Sequence, residues 1–190
     1  LKDYFISLTN PEVIFRIIVY VRAPLRWSVS SIQQRIKICN NESEAIKTTK
    51  NQVYRFFRES IEKFIIVFGK NNLQLFEFEK VIKLPFGLVG HFLSAIGLTG
   101  EEIQKFNLKK VNQSISQISA DIISYINDKE PFLINGKLNR KRYKGDRRCL
   151  YNVRGTPYDI SRNDKEIIFE NSLEDALWLK EQFNVDYTKK

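Results

Sequence analysis

Hydrophobic positions along the chain fall into two rhythms. Residues 13–22, VIFRIIVYVR, are nearly continuous in Ile and Val, which predicts a strand buried on both faces, as in a parallel sheet. Pro24 stops it, and Val29, Ile32 and Ile36 follow at helical spacing, so strand, turn and helix come in order. Residues 40–47 are polar and read as loop. Residues 50–68 predict one helix, with Val53, Phe56, Phe57, Ile61, Phe64, Ile65 and Phe68 on a single stripe ended by Gly69. A short strand is expected over 72–80 and an apolar helix over 86–97, closed by Gly97. Thr99 to Glu102 has the form of a capping box. Ile115, Ile118, Ile122 and Ile126 mark another helix, 131–160 read as basic, aromatic loop, and a last helix is expected from Ser172 to about Phe183, with Leu173, Leu177 and Trp178 inward.

Strands alternating with helices predict an α/β fold around a parallel sheet, in a single domain over 1–190. Two strands make a poor sheet, so the domain is expected to be incomplete at its N-terminus. The absence of methionine from the 190 residues adds to that expectation of truncation or processing. No apolar run spans a bilayer, and no secretory signal is visible. The two cysteines, Cys39 and Cys149, give neither a disulfide framework nor a zinc spacing, so a cytoplasmic protein without metal is expected.

A net charge of +9 favours an anionic partner. Residues 137–148, KLNRKRYKGDRR, carry seven basic residues and one acid, read either as a solvated loop or as a phosphate-binding strap. A parallel strand ends at the rim where ligands bind, and the next helix aims free N–H groups there. Arg22 at such a strand end, with Ser28, Ser30 or Ser31 on the helix, is a candidate phosphate cradle. Arginines at strand ends also simply cap carbonyls. No G-x-x-x-x-G-K-[ST] loop is present.

The frame VYVRAPLRWSVSS, with Arg22 and Ser30 eight residues apart, resembles the 3′-phosphate-binding segment of sulfotransferases that use 3′-phosphoadenosine 5′-phosphosulfate (PAPS). Residues 54–98 resemble that family's next segment, a long helix, a strand ending in an acid and a helix closing in IGL. Residues 109–119 sit where the family touches adenine, and 169–187 resemble the terminal helix of its bacterial carbohydrate-type members. The resemblance implies a three-layer α/β sandwich related to nucleotide kinases. It also implies PAPS as nucleotide donor, a carbohydrate acceptor and transfer of a sulfuryl group to a hydroxyl or amine, with no metal. Its site residues here would be Arg22 and Ser30 for the 3′-phosphate, Asn112, Ser114 and Ser116 near the adenine or its sugar, and Arg142 and Lys144 with Gly145, or Arg154 with Gly155, as a strap. Asn112, Ser114 and Ser116 serve equally well as helix caps.

The family's 5′-phosphosulfate loop has no counterpart in residues 1–16, and no catalytic base is carried over. His91, the only histidine, is read as a packing or surface residue, Glu77 and Glu79 as supports of the fold, and Trp27 and Trp178 as core. Two other functions stay open. One is a non-catalytic basic nucleic-acid-binding domain, disfavoured because no aromatic interleaving or known motif accompanies the charge, so nucleic acid is not an expected partner. The other is an inactive, partner-binding module that kept the fold and lost the donor loop.

Overall fold

The computed structural model describes residues 15–54, 56–107, 114–140 and 148–189. They form a mixed α/β structure that is mostly helical, with one small parallel sheet of two strands. The chain divides into two compact units. The described parts of the first are 15–23, 56–107 and 173–189, and those of the second are 24–54, 114–140 and 148–172.

In the first unit, β1 (Ile17–Val21) pairs in parallel with β2 (Leu73–Glu77), in a register running from Ile17 opposite Leu73 to Val21 opposite Glu77. The strand expected over 72–80 is therefore shorter, and Phe78–Val81 turns into a helical segment instead. The helix expected over 50–68 is two helices. One, Glu42–Gln52, begins inside the stretch read as loop, because Asn41 caps it by accepting from the Glu44 N–H at 2.9 Å. The other, Phe56–Phe68, packs on both strands of the sheet. Its stripe holds in part: Phe57, Ile61 and Phe68 are buried, whereas Phe64 is 43% exposed. Gly87–Ala95 closes on Gly97, whose φ of 105° lets the Leu98 N–H reach back to the Leu93 carbonyl at 3.0 Å. Thr99 and Glu102 form the expected capping box at the start of Gly100–Gln104.

Phe86 precedes Gly87–Ala95 in a left-handed conformation, φ 64°, and a Cβ on Gly90 would collide with the Phe86 side chain. The first turn of Phe56–Phe68 is capped from far along the chain. The carboxylate of fully buried Asp175 accepts from the N–H groups of Phe57 at 2.7 Å and Arg58 at 3.3 Å.

The second unit is built on Pro24–Ile38, Glu42–Gln52 and Gln117–Lys129, with a short turn of helix at Arg148–Tyr151. Its core is chiefly isoleucine: Ile32, Ile36, Ile115, Ile123 and Ile168 are all but fully buried, and Trp27 packs against them from a half-buried position. Full burial of one such side chain contributes about 1.5–3 kcal/mol. The stripe expected in the 115–126 helix is displaced. Ile118 and Ile122 are 48% and 37% exposed, and Ser119, Ala120, Ile123 and Asn127 face inward. Asn127 donates to the Ile36 and Asn40 carbonyls at 2.7 and 2.8 Å, and the Tyr151 hydroxyl donates to that of Lys37. Two carbonyls of the last helical turn, and one just beyond it, thereby find partners.

The stretch read as loop over 131–160 contains a hairpin, Leu133–Ile134 with Lys137–Leu138, besides Arg148–Tyr151. The last helix starts ten residues earlier than expected, at Arg162, and ends at Phe183. Ser161 and Asp164 supply the missed start, the Asp164 N–H donating to the Ser161 hydroxyl at 3.1 Å. Its inward side is corrected too: Asp175, Ala176 and Leu179 are buried, while Leu173 and Leu177 are 37% and 46% exposed. No helix among the described residues is long and apolar enough to cross a membrane. In chain order these helices are α1 (Pro24–Ile38), α2 (Glu42–Gln52), α3 (Phe56–Phe68), α4 (Phe78–Val81), α5 (Gly87–Ala95), α6 (Gly100–Gln104), α7 (Gln117–Lys129), α8 (Arg148–Tyr151) and α9 (Arg162–Phe183), and the hairpin strands are β3 (Leu133–Ile134) and β4 (Lys137–Leu138).

Burial raises the pKa of Asp175, against the lowering pull of the Phe57 and Arg58 N–H groups. A raised acid favours the folded state when protonated, so this contribution is present below the ordinary aspartate value of about 4 and declines as pH rises through the folded value. Wild-type stability is therefore expected to fall relative to Asp175→Asn between pH 4 and pH 7, and Asp175→Ala is expected to cost about 1–2 kcal/mol by loss of the cap. Urea denaturation of the three proteins at both pH values checks this, and a pH-independent gap to the asparagine variant would contradict it.

Candidate functional site

Arg22 follows the last residue of β1, on the side where both parallel strands end. Its side chain is 34% exposed, and its guanidinium lies over the Phe78 ring, 5.1 Å from the centroid. Nε is buried and has no hydrogen-bond partner among the described residues; Glu79 Oε1 is 3.7 Å away, an ion-pair distance and not a hydrogen bond. Glu79 is occupied elsewhere. Its carboxylate accepts from the Ala23 N–H at 3.2 and 3.1 Å and contacts the Tyr187 hydroxyl at 3.1 Å. The Tyr187 hydroxyl also lies 2.9 Å from the Val21 carbonyl. Burial, then the charge and hydrogen bond of Glu79, push the Tyr187 phenol well above its usual range, so it stays protonated as a donor. Glu79 and Tyr187 thus fix the backbone on either side of Arg22 and leave its guanidinium as an anchored, partly solvated cation with donors to spare.

His91, on α5, packs against this sheet. Its Nδ1 is 2.8 Å from the Tyr20 hydroxyl of β1, and its ring meets Phe76 edge-on at 4.5 Å. Burial raises the Tyr20 pKa. This is the packing role expected of the histidine.

Ser30 lies on α1, in the second unit, whereas Arg22 belongs to the first. Its neighbour Ser28 is fully buried, with no hydrogen-bond partner for its hydroxyl among the described residues. Ser114 and Arg154 come together: both line an open cleft of about 290 Å³ within the second unit, with Tyr151, Asn152 and Gly155. The cleft's backbone is held by the Ile115 N–H donating to the Gln33 side chain at 3.0 Å and the Tyr158 N–H donating to the Ile115 carbonyl at 3.1 Å. Ser116 acts as a cap, accepting from the Ser119 N–H at 3.1 Å and donating to the Val153 carbonyl at 2.7 Å. Gly155 lies close over Ser116 and Ile118, where an added Cβ would come within 3.2 Å of both. A guanidinium, a hydroxyl and an aromatic ring in one cleft can hold a small anionic or planar group. Asn112, Arg142, Lys144 and Gly145 lie outside the described residues.

Tyr187 was not singled out from the sequence; it meets Val21 across 166 positions, and no local motif signals such a contact. Tyr151 likewise gains its place only from the fold. No group of three or more His, Cys, Asp or Glu gathers as a metal site among the described residues. No family model matches the chain, and no curated protein or solved structure matches it significantly.

Tyr187→Phe removes the hydroxyl that meets both Val21 and Glu79. It is expected to cost about 1 kcal/mol, rising toward 3 if the buried acceptors stay unsatisfied. Chemical denaturation at neutral pH checks this, and an unchanged midpoint would show that the strap around Arg22 carries no energy.

Proposed function

We propose that the chain binds the 3′-phosphate of PAPS through Arg22 and serves transfer of the sulfuryl group to a hydroxyl or amine of a carbohydrate acceptor. The observation that carries this reading is the guanidinium at the C-terminal end of a parallel strand pair, resting on the Phe78 ring beside Glu79 and still partly exposed. Such an arginine offers a phosphate two directed donors with little ordering left to lose. In the reaction, the acceptor atom attacks sulfur, the bond from sulfur to the 5′-phosphate oxygen breaks, and the acceptor's proton passes to a base. The nucleotide leaves as 3′-phosphoadenosine 5′-phosphate. The share of Ser30 in phosphate binding rests on its eight-residue spacing from Arg22. The three-layer sandwich belongs to the same proposal, supported by the order strand, arginine, three helices, strand and acid.

Isothermal titration with 3′-phosphoadenosine 5′-phosphate tests it. Micromolar binding is expected, weakened tenfold or more by Arg22→Ala, a loss of about 1.4 kcal/mol. Ser30→Ala, Ser114→Ala and Arg154→Ala put the same question to the second unit. Absence of binding, or binding indifferent to Arg22, overturns the reading. Steeply salt-dependent binding to random duplex DNA with no nucleotide binding would favour a nucleic-acid-binding domain instead.

A further inference from the structure

The hairpin β3–β4 exposes side chains that water does not favour. Phe132, Leu133, Ile134 and Leu138 are 42%, 51%, 50% and 64% exposed. Asn135 and Gly136 join the strands with φ of 50° and 74°, both left-handed, as a two-residue turn of type I′ requires. Leu133 is opposite Leu138, and Ile134 is opposite Lys137. Directly opposed residues share a face, so the first pair stands on one face of the hairpin and the second on the other. Apolar side chains therefore project on both sides of a thin ribbon, the Leu133 side toward a cleft shared with Asn40, Glu44 and Asn127.

Cations accompany them. Lys137 and Arg140 are exposed, and with Ile134, Leu138 and Asn139 they line one shallow hollow of about 710 Å³ that has no acid in its lining. The nearest acids in sequence, Asp128 and Glu130, belong to the end of α7 and the residue after it. The sequence beyond the hairpin continues basic, within a run of seven cations to one acid over 137–148.

We propose that this hairpin docks on an anionic lipid bilayer, with Leu133, Ile134 and Leu138 entering the headgroup boundary and Lys137 and Arg140 meeting lipid phosphates. Charge selects this occupant: a second copy of the chain would set two basic hairpins against each other, whereas an anionic leaflet attracts them. Leu133, with Phe132, also borders the cleft of about 640 Å³ beside Asn40, Glu44 and Asn127, so Ile134 and Leu138 are the side chains that lead into the lipid. The inference stands on the hairpin alone and holds whether or not Arg22 binds a nucleotide.

The test is co-sedimentation of the whole chain with phosphatidylcholine vesicles, with and without phosphatidylserine. Binding is expected to need phosphatidylserine, to weaken with salt, and to fall about tenfold or more in the double variant Ile134→Ser/Leu138→Ser. Lys137→Glu with Arg140→Glu is expected to abolish it. Leu138→Trp adds a reporter: its emission is expected to shift to shorter wavelength on adding the anionic vesicles. Circular dichroism confirms that the variants keep their fold. No vesicle binding overturns the proposal. So does binding that the double serine variant retains together with an unshifted Leu138→Trp emission, since that pattern is attraction of bulk charge alone. Self-association lost in the serine variant, without vesicle binding, would assign the hairpin to a second copy and overturn it equally.

Discussion

Two strands that run parallel cannot be joined by a turn, and this constraint organises the first unit. The chain must leave the end of β1 and return to the start of β2, so both strands finish on the same side. That side collects Arg22 from one strand and, just past the other, Phe78 and Glu79. Once they meet, the rest follows from satisfying polar groups. Glu79 takes the Ala23 N–H, Tyr187 reaches the Val21 carbonyl, and the arginine keeps an aromatic neighbour and a carboxylate at ion-pair distance. The carboxylate and the Phe78 ring offset part of the cost of burying Arg22 Nε, and the rest of the cation is turned partly toward solvent.

The second unit answers a different problem, how to end a helix inside a packed structure. The free carbonyls at the end of α1 are met by Asn127 and Tyr151, which come from α7 and α8. These polar residues are buried or half-buried among isoleucines because the carbonyls they serve lie there. A core made mostly of β-branched side chains has few rotamers to choose among, so it packs in one way.

Where local chemistry decides, the sequence was readable. The Thr99–Glu102 box and the glycine closing α5 each act within a few residues, and each is found as expected; the strand ending beside Arg22 is found too, but shorter, as Ile17–Val21, and only Val21 of it is buried rather than both faces. Where burial is set by distant partners, periodicity misled. Ile118 and Ile122 have the right spacing but the wrong side, since Asn127 and Ser119 turn α7 to suit α1 and the Val153 carbonyl. Asp175 is polar and buried because it caps α3 from far along the chain, so the face chosen from Leu173 and Leu177 was the wrong one. Of the candidate site, Arg22 was legible from its place at a strand end. The cleft shared by Ser114 and Arg154 was not, because forty residues separate them and only the fold of the second unit brings them together.

Phe86 and Gly90 show how one strained residue binds the fate of another. A phenylalanine held at φ 64° departs from the conformations open to bulky side chains, and its surroundings must hold it there at a cost of about 1–3 kcal/mol. Held so, its side chain fills the space where a Cβ at position 90 would stand. A Cβ at position 90 is therefore tied to the conformation of position 86. A larger residue at 90 has room only when residue 86 loses its Cβ or changes its backbone angle.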